Sequence, residues 1–313
     1  MISDHEGRRV IPTELAAFLD MVDDAREGGR RALHEMSVND AREAFESASV
    51  ALNAGAPAMP CEALSIATRD GKSIPARLYL PGNANGALLV YFHGGGYTVG
   101  SLDSHDVLCR TLAQQSACAV LAVGYRLAPE APFPTALEDG EDAWHWLLER
   151  SKDFGINPAR IALAGDSAGA TIATVLAARL GSALRAQLLF YPATDATQQS
   201  ESHRLFADGY LLEAATLEWF YRQYTADLQD PRVSPLFAPR LAGSAPALVL
   251  VAQFDPLVDE GLAYARKLEA DGVQVEAPLC EGMIHDFLRM GAVVPEVEEY
   301  WRAVAGFTQR YMS

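Results

Sequence analysis

A serine with glycine two residues to either side, Gly165-Asp166-Ser167-Ala168-Gly169, follows the apolar run Ile161-Ala162-Leu163-Ala164 and precedes the Ala- and Leu-rich stretch Ala168 to Leu180. Read as strand, turn and helix, this order puts the serine on a sharp junction, with the first N–H groups and the positive end of a helix beside its oxygen. The flanking glycines let neighbouring backbone come close without a Cβ clash. A hydroxyl held this way can attack a carbonyl carbon, provided that a base activates it. A serine before a helix is also an ordinary N-cap, so the pentapeptide has to be read with the rest of the chain.

Three further groups complete a chemistry. After the apolar run Ala87 to Phe92 comes His93-Gly94-Gly95-Gly96-Tyr97, whose glycines can turn successive N–H groups toward one point, as the negative oxygen of a tetrahedral acyl intermediate requires. The loop lacks the Lys-Ser/Thr that would follow the glycines of a phosphate-binding loop. The run Ala247 to Val251 leads into Asp255, and Val273 to Leu279 leads into His285. A carboxylate and an imidazole at strand ends can meet a strand-end serine on one sheet edge, in the chain order Ser, Asp, His. Asp259 is the rival carboxylate, and its place suits a cap for a helix beginning near Glu260. Of the other histidines, His93 suits bracing its own loop, while His5, His34, His105, His145 and His203 are read as surface or hydrogen-bonded structural residues.

The elements that must position these groups follow from periodicity. Leu15, Phe18, Leu19 and Val22 recur at helical spacing within Pro12 to Glu27, and a second helical stretch runs through Ala41 to Leu52. Gly55 to Pro60 is a break. Alternation between Leu64 and Leu80 around Asp70-Gly71 predicts a hairpin with a tight turn. The remaining strands are apolar throughout, including Ala119 to Val123 and Gln187 to Tyr191, as in a parallel sheet covered by helices on both faces. Asp195 to about Arg240, rich in aromatic residues, carries no obvious strand and predicts an inserted helical unit.

Together these motifs resemble the hormone-sensitive-lipase-like esterases, family IV of the bacterial carboxylesterases, within the α/β-hydrolase superfamily. The resemblance covers Tyr91 to about Phe287. It rests on HGGGY, on Tyr125-Arg126-Leu127-Ala128-Pro129-Glu130, on GDSAG, on Asp230-Pro231-Arg232-Val233-Ser234-Pro235, on DPLVDEG from Asp255 and on GMIH ending at His285. It implies an α/β-hydrolase fold, with a mostly parallel eight-stranded sheet, helices on both faces and a helical cap. The cap would comprise 1–52 and 195–240, and the core 53–194 and 241–313. It further implies Ser167, Asp255 and His285 as the triad, and Gly95, Gly96 and Ala168 as oxyanion-hole donors with Gly94 beside them. His93 and Glu130 would support the loop. The chain departs from the pattern at Asp286, where Gly often follows the histidine, and at Ala170. The implied activity is hydrolysis of soluble short- to medium-chain acyl esters. An amide or formamide hydrolase with the same triad, or a small-molecule-binding relative, are the alternatives.

Composition narrows the partners. Lys and Arg number 25 against 41 Asp and Glu, a net charge of −16 with no basic cluster, which disfavours nucleic acid. Cys61, Cys109, Cys118 and Cys280 lie far apart and are expected to be reduced and buried. Met1 to Val22 holds no apolar run suited to a signal peptide or membrane span, so a cytoplasmic protein without stable membrane association is expected. No cofactor is implied, and no metal, because no His/Asp/Glu group has ligand spacing in the sequence. A sheet edge near the last strands suits a homodimer.

Overall fold

Alternation along the buried strands decides which side of the sheet each side chain serves. In the computed structural model, which describes residues 10–313, two helices come first, α1 (Thr13–Glu27) and α2 (Val38–Leu52). The strands β1 (Cys61–Ala67), β2 (Ser73–Tyr79) and β3 (Leu88–Phe92) follow, then α3 (Asp106–Ser116), β4 (Ala119–Val123) and α4 (Thr135–Arg150). Next come β5 (Ile161–Asp166), α5 (Ala168–Leu180), β6 (Gln187–Phe190), the short α6 (Glu201–Leu205) and α7 (Ala214–Tyr224). The chain ends with β7 (Ala247–Phe254), α8 (Val258–Ala270), β8 (Val275–Glu276), β9 (Leu279–Ile284) and α9 (Val297–Met312). His5 and the first nine positions of the expected 1–52 segment lie outside the described residues.

The sheet order is β1-β2-β4-β3-β5-β6-β7-β8, with β9 also paired to β7. The pairs β1/β2 and β2/β4 are antiparallel, and every later pair is parallel. Along β3, Leu88, Val90 and Phe92 join a core with Leu147 of α4, Ile172 and Leu176 of α5 and Leu268 of α8. The alternate residues Leu89 and Tyr91 join a second core with Leu108 and Leu112 of α3, Trp301 and Phe307 of α9, and Leu15 and Leu19 of α1. Both faces are thus dry, which is why these strands read as continuous apolar runs.

Four expectations change. Among the described residues the sheet has nine strands rather than eight. The stretch read as one strand over Val273 to Leu279 is split: β8 pairs with the start of β7, and β9 begins only at Leu279 and pairs with its end, across an irregularity between Ala252 and Phe254. Pro278, which has no N–H for a ladder, lies between the two pieces. The β1/β2 connection is five residues long, Thr68 to Lys72, and only Gly71 takes a positive φ, +79°. Cys61 is exposed on the edge strand rather than buried, while Cys109, Cys118 and Cys280 are buried; all four are free thiols.

Candidate active site

β5 delivers Ser167 at its C-terminal end. The Ser167 backbone is held at φ +51° and ψ −123°, a conformation a non-glycine residue adopts only when its surroundings impose it. They do: Ser167 N–H donates to the Phe190 carbonyl at 2.9 Å, and α5 starts at the next residue. Gly169 is required by packing, because a Cβ there would lie 2.1 Å from the Phe92 carbonyl oxygen. Although Ser167 occupies the N-cap position, its side chain makes no capping hydrogen bond. The hydroxyl is therefore left for another partner.

That partner is His285, which follows β9. Its Nε2 lies 3.0 Å from Ser167 Oγ, and its Nδ1 lies 2.7 Å from Asp255 Oδ2, just past β7. The other Asp255 oxygen accepts the Leu257 N–H at 2.9 Å, which fixes the carboxylate. All three side chains are buried. Burial works against the His285 imidazolium, but the nearby Asp255 carboxylate, with Asp286 and Asp166, outweighs it and leaves the pKa above the ordinary histidine value. Asp259 does not cap α8 as expected. It lies inside the first turn, and its carboxylate accepts the Ser202 N–H of α6 at 2.8 Å.

The glycine loop after β3 lies beside this relay. Among the described residues, the Gly95 and Gly96 N–H groups find no acceptor. Gly94 must be removed from the expected donors, because its N–H already donates to Asp166 Oδ1 at 2.8 Å. His93 Nδ1 lies 2.7 Å from the Gly94 carbonyl, and its ring stacks on Tyr125 at 4.4 Å. Burial, with the neighbouring His105, pushes its pKa down to about 3, so it is neutral at physiological pH. Glu130 is exposed, and its carboxylate accepts from Arg42 at 2.7 and 2.9 Å. Arg42 in turn donates to the Thr98 and Ala128 carbonyls, each at 2.9 Å.

These features have counterparts elsewhere. Residues 89–289 match the family model described as alpha/beta hydrolase fold. A protein named ethyl acetate hydrolase, from Pseudomonas putida, is 47% identical over 300 residues, which span 91% of this chain and 94% of that one. The chain belongs to the α/β-hydrolase fold family. The likeness extends to solved structures. The crystal structure of a thermostable esterase from Pseudomonas putida shares 34% identity with this hydrolase, with a TM-score of 0.91, covering 97% of this chain and 98% of that one. An α/β-hydrolase enzyme from the metagenome of Lake Arreo superposes with a TM-score of 0.92 at 35% identity, covering 97% and 99%.

Over the serine of this hydrolase lies a cavity of about 640 Å3. Ser167, Gly95, Gly96 and His285 form its floor. Its walls are mainly apolar and include Phe18 of α1, Leu33, Phe45 of α2, Leu212, and Leu217 and Phe220 of α7. Phe220 packs directly on Gly96, where an added Cβ would meet its ring at 2.1 Å. No described helix is long and apolar enough to cross a membrane.

Several residues of this site were not legible in the sequence. Asp166, fully buried, accepts the Tyr91 hydroxyl as well as Gly94 N–H. Burial alone would raise its pKa, but His105, Tyr91 and Arg289 hold it at about 2. Tyr191 packs edge-on against the His285 ring at 4.8 Å. His105, Asp166 and Asp286 each bring a potential ligand atom within 4.8 Å of the others, a group assembled by folding from three distant segments. Two of these carried a signal: Asp286, which departs from the family pattern beside His285, and Asp166, a carboxylate ending an otherwise apolar strand.

Proposed function

We propose that this protein is a serine carboxylesterase in which Ser167 is the nucleophile, His285 the general base and Asp255 the residue that orients it. The hydroxyl–imidazole–carboxylate geometry, 3.0 and 2.7 Å, carries this reading. As Ser167 Oγ bonds to the ester carbonyl carbon, its proton passes to His285 Nε2. The N–H groups of Gly95, Gly96 and Ala168 receive the oxyanion. Collapse of the tetrahedral intermediate expels the alcohol, which takes the proton from His285. Water then attacks the acyl-enzyme by the same route and releases the acid.

The substrates are soluble esters with short to medium acyl chains. The mainly apolar cavity over Ser167, about 640 Å3, supports an acyl group of this size. Residues 1–52 and 195–240 act as the cap that selects among them, and 53–194 with 241–313 act as the core. Names given to the relatives favour ester over amide hydrolysis. The protein works in the cytoplasm, in keeping with its four free thiols, and self-associates through the β8 edge of the sheet. The test is labelling with a fluorophosphonate followed by peptide mapping. The label should sit on Ser167 and be lost in Ser167→Ala; a label elsewhere, with ester hydrolysis intact in that variant, overturns the assignment.

A further inference from the structure

The residues on the outer flanks of the reacting pair meet each other. Asp166 precedes Ser167, Asp286 follows His285, and their carboxylates lie within 4.8 Å, together with a ring nitrogen of His105. Asp166 Oδ2 lies 3.4 Å from His105 Nε2, and among the described residues neither atom has another hydrogen-bond partner. Asp286 occupies the left-handed region at φ +70°, which favours glycine, so the aspartate is held there against its backbone preference.

Arg289 accounts for that cost. It is buried, and its Nη1 donates to Asp286 Oδ2 at 2.7 Å. Its Nη2 donates to Ser49 Oγ of α2 at 2.5 Å and to the Ser104 carbonyl at 3.0 Å, and the guanidinium lies over the Phe45 ring at 4.9 Å. Ser104 Oγ in turn lies 3.0 Å from His105 Nδ1. Two carboxylates this close, Asp166 fully buried and Asp286 half-buried, repel unless a cation compensates them. The guanidinium already on Asp286 supplies that charge and disfavours a metal ion at the same place.

We propose that Asp166, His105, Asp286 and Arg289 form a buried polar bridge that fixes the Ser167 loop relative to the His285 loop and docks α2 on both, with Arg289 and Asp286 as positioning residues. This rests on Ser167 and His285 being nucleophile and base. A planar fork that satisfies three segments at once explains why arginine, rather than lysine, stands at 289. The bridge also bears on the base itself. The charged or polar groups around His285 are Asp255, Asp286, Asp166, Ser167 and, through Asp286, Arg289, with the Tyr191 ring against its face. Losing Arg289 unscreens Asp286 and stabilises the imidazolium, whereas losing the Asp286 charge destabilises it.

The test compares Arg289→Met, Asp286→Asn and the double variant in the full chain, using p-nitrophenyl butyrate across pH. Fluorophosphonate titration counts the active sites. Per titrated site, Arg289→Met should lose about ten- to hundredfold in kcat and move the acid limb of kcat upward by roughly half a pH unit or more. Asp286→Asn should move the limb downward, and the double variant should bring it back toward the parent. Arg289→Lys, which keeps the charge but not the fork, should hold the parent pH limb with a lowered kcat, and it serves if Arg289→Met does not fold. Unchanged kcat and pH limbs per titrated site overturn the bridge. Absence of label on Ser167 in the parent protein instead overturns the nucleophile assignment.

Discussion

Ser167 Oγ and His285 Nε2 lie 3.0 Å apart although 118 positions separate them in the chain. They meet because β5 and β9 end on the same edge of a parallel sheet, and Asp255 leaves β7 between them. Ser167→Ala should lower kcat by roughly five to six orders of magnitude. The side chain makes no capping bond, so the melting temperature should stay near the parent value. Ester hydrolysis rates and a circular dichroism melt check the two parts.

Asp255→Asn keeps an oxygen for the Leu257 N–H but withdraws the charge that stabilises the imidazolium and selects its tautomer. A loss of about 10⁴ in kcat is expected, with little change in KM. Steady-state kinetics on one p-nitrophenyl ester would read both, and a variant within tenfold of the parent would remove Asp255 from its role.

The base acts only when neutral, so activity requires pH above the His285 pKa. Burial favours the neutral ring, but the carboxylates around it prevail and raise the pKa. The acid limb of kcat/KM should therefore lie above about 6.5, the ordinary histidine value. Activity fades earlier on acidification than it would with an unperturbed imidazole. A pH–rate profile fitted for a limb well below that value would contradict the charge balance described here.

Gly169→Ala sets a Cβ 2.1 Å from the Phe92 carbonyl oxygen, between two backbone segments that cannot turn aside. Destabilisation of about 3 kcal/mol or more is expected. Gly291→Ala, with nothing within 4 Å of the new Cβ, is the control and should change little. Urea unfolding of the two variants makes the comparison.

Ala48 of α2 lines the cavity over Ser167. Ala48→Trp fills that space with an aromatic ring and should lower kcat/KM for octanoate esters by tenfold or more, about the discrimination of one to two methylenes, while sparing acetate. Rates across a p-nitrophenyl ester series give the answer, and equal losses at every chain length would show that α2 does not bound the acyl site.

The chemistry was legible because its residues belong to short, local patterns. GDSAG needs glycine where Gly169 meets Phe92, and the all-apolar strands announce a sheet dry on both faces. Asp255 and His285 were found because strand ends are local signals too, and parallel pairing brings them to one edge. The split at Pro278 was missed because two strand fragments serving opposite ends of β7 have the same apolar look as one strand.

What the sequence by itself determined, then, is the reaction class, the strand-end residues that perform it and the edge at which they gather. Only the tertiary structure decided that Gly94 gives its N–H to Asp166, that Glu130 reaches the loop through Arg42, and that Arg289 joins Asp286 to α2. The difference is physical. Local spacing is set by backbone geometry, which each segment carries with it. The partners of a buried charge or a free N–H are set by desolvation, which exists only once distant segments have closed around it.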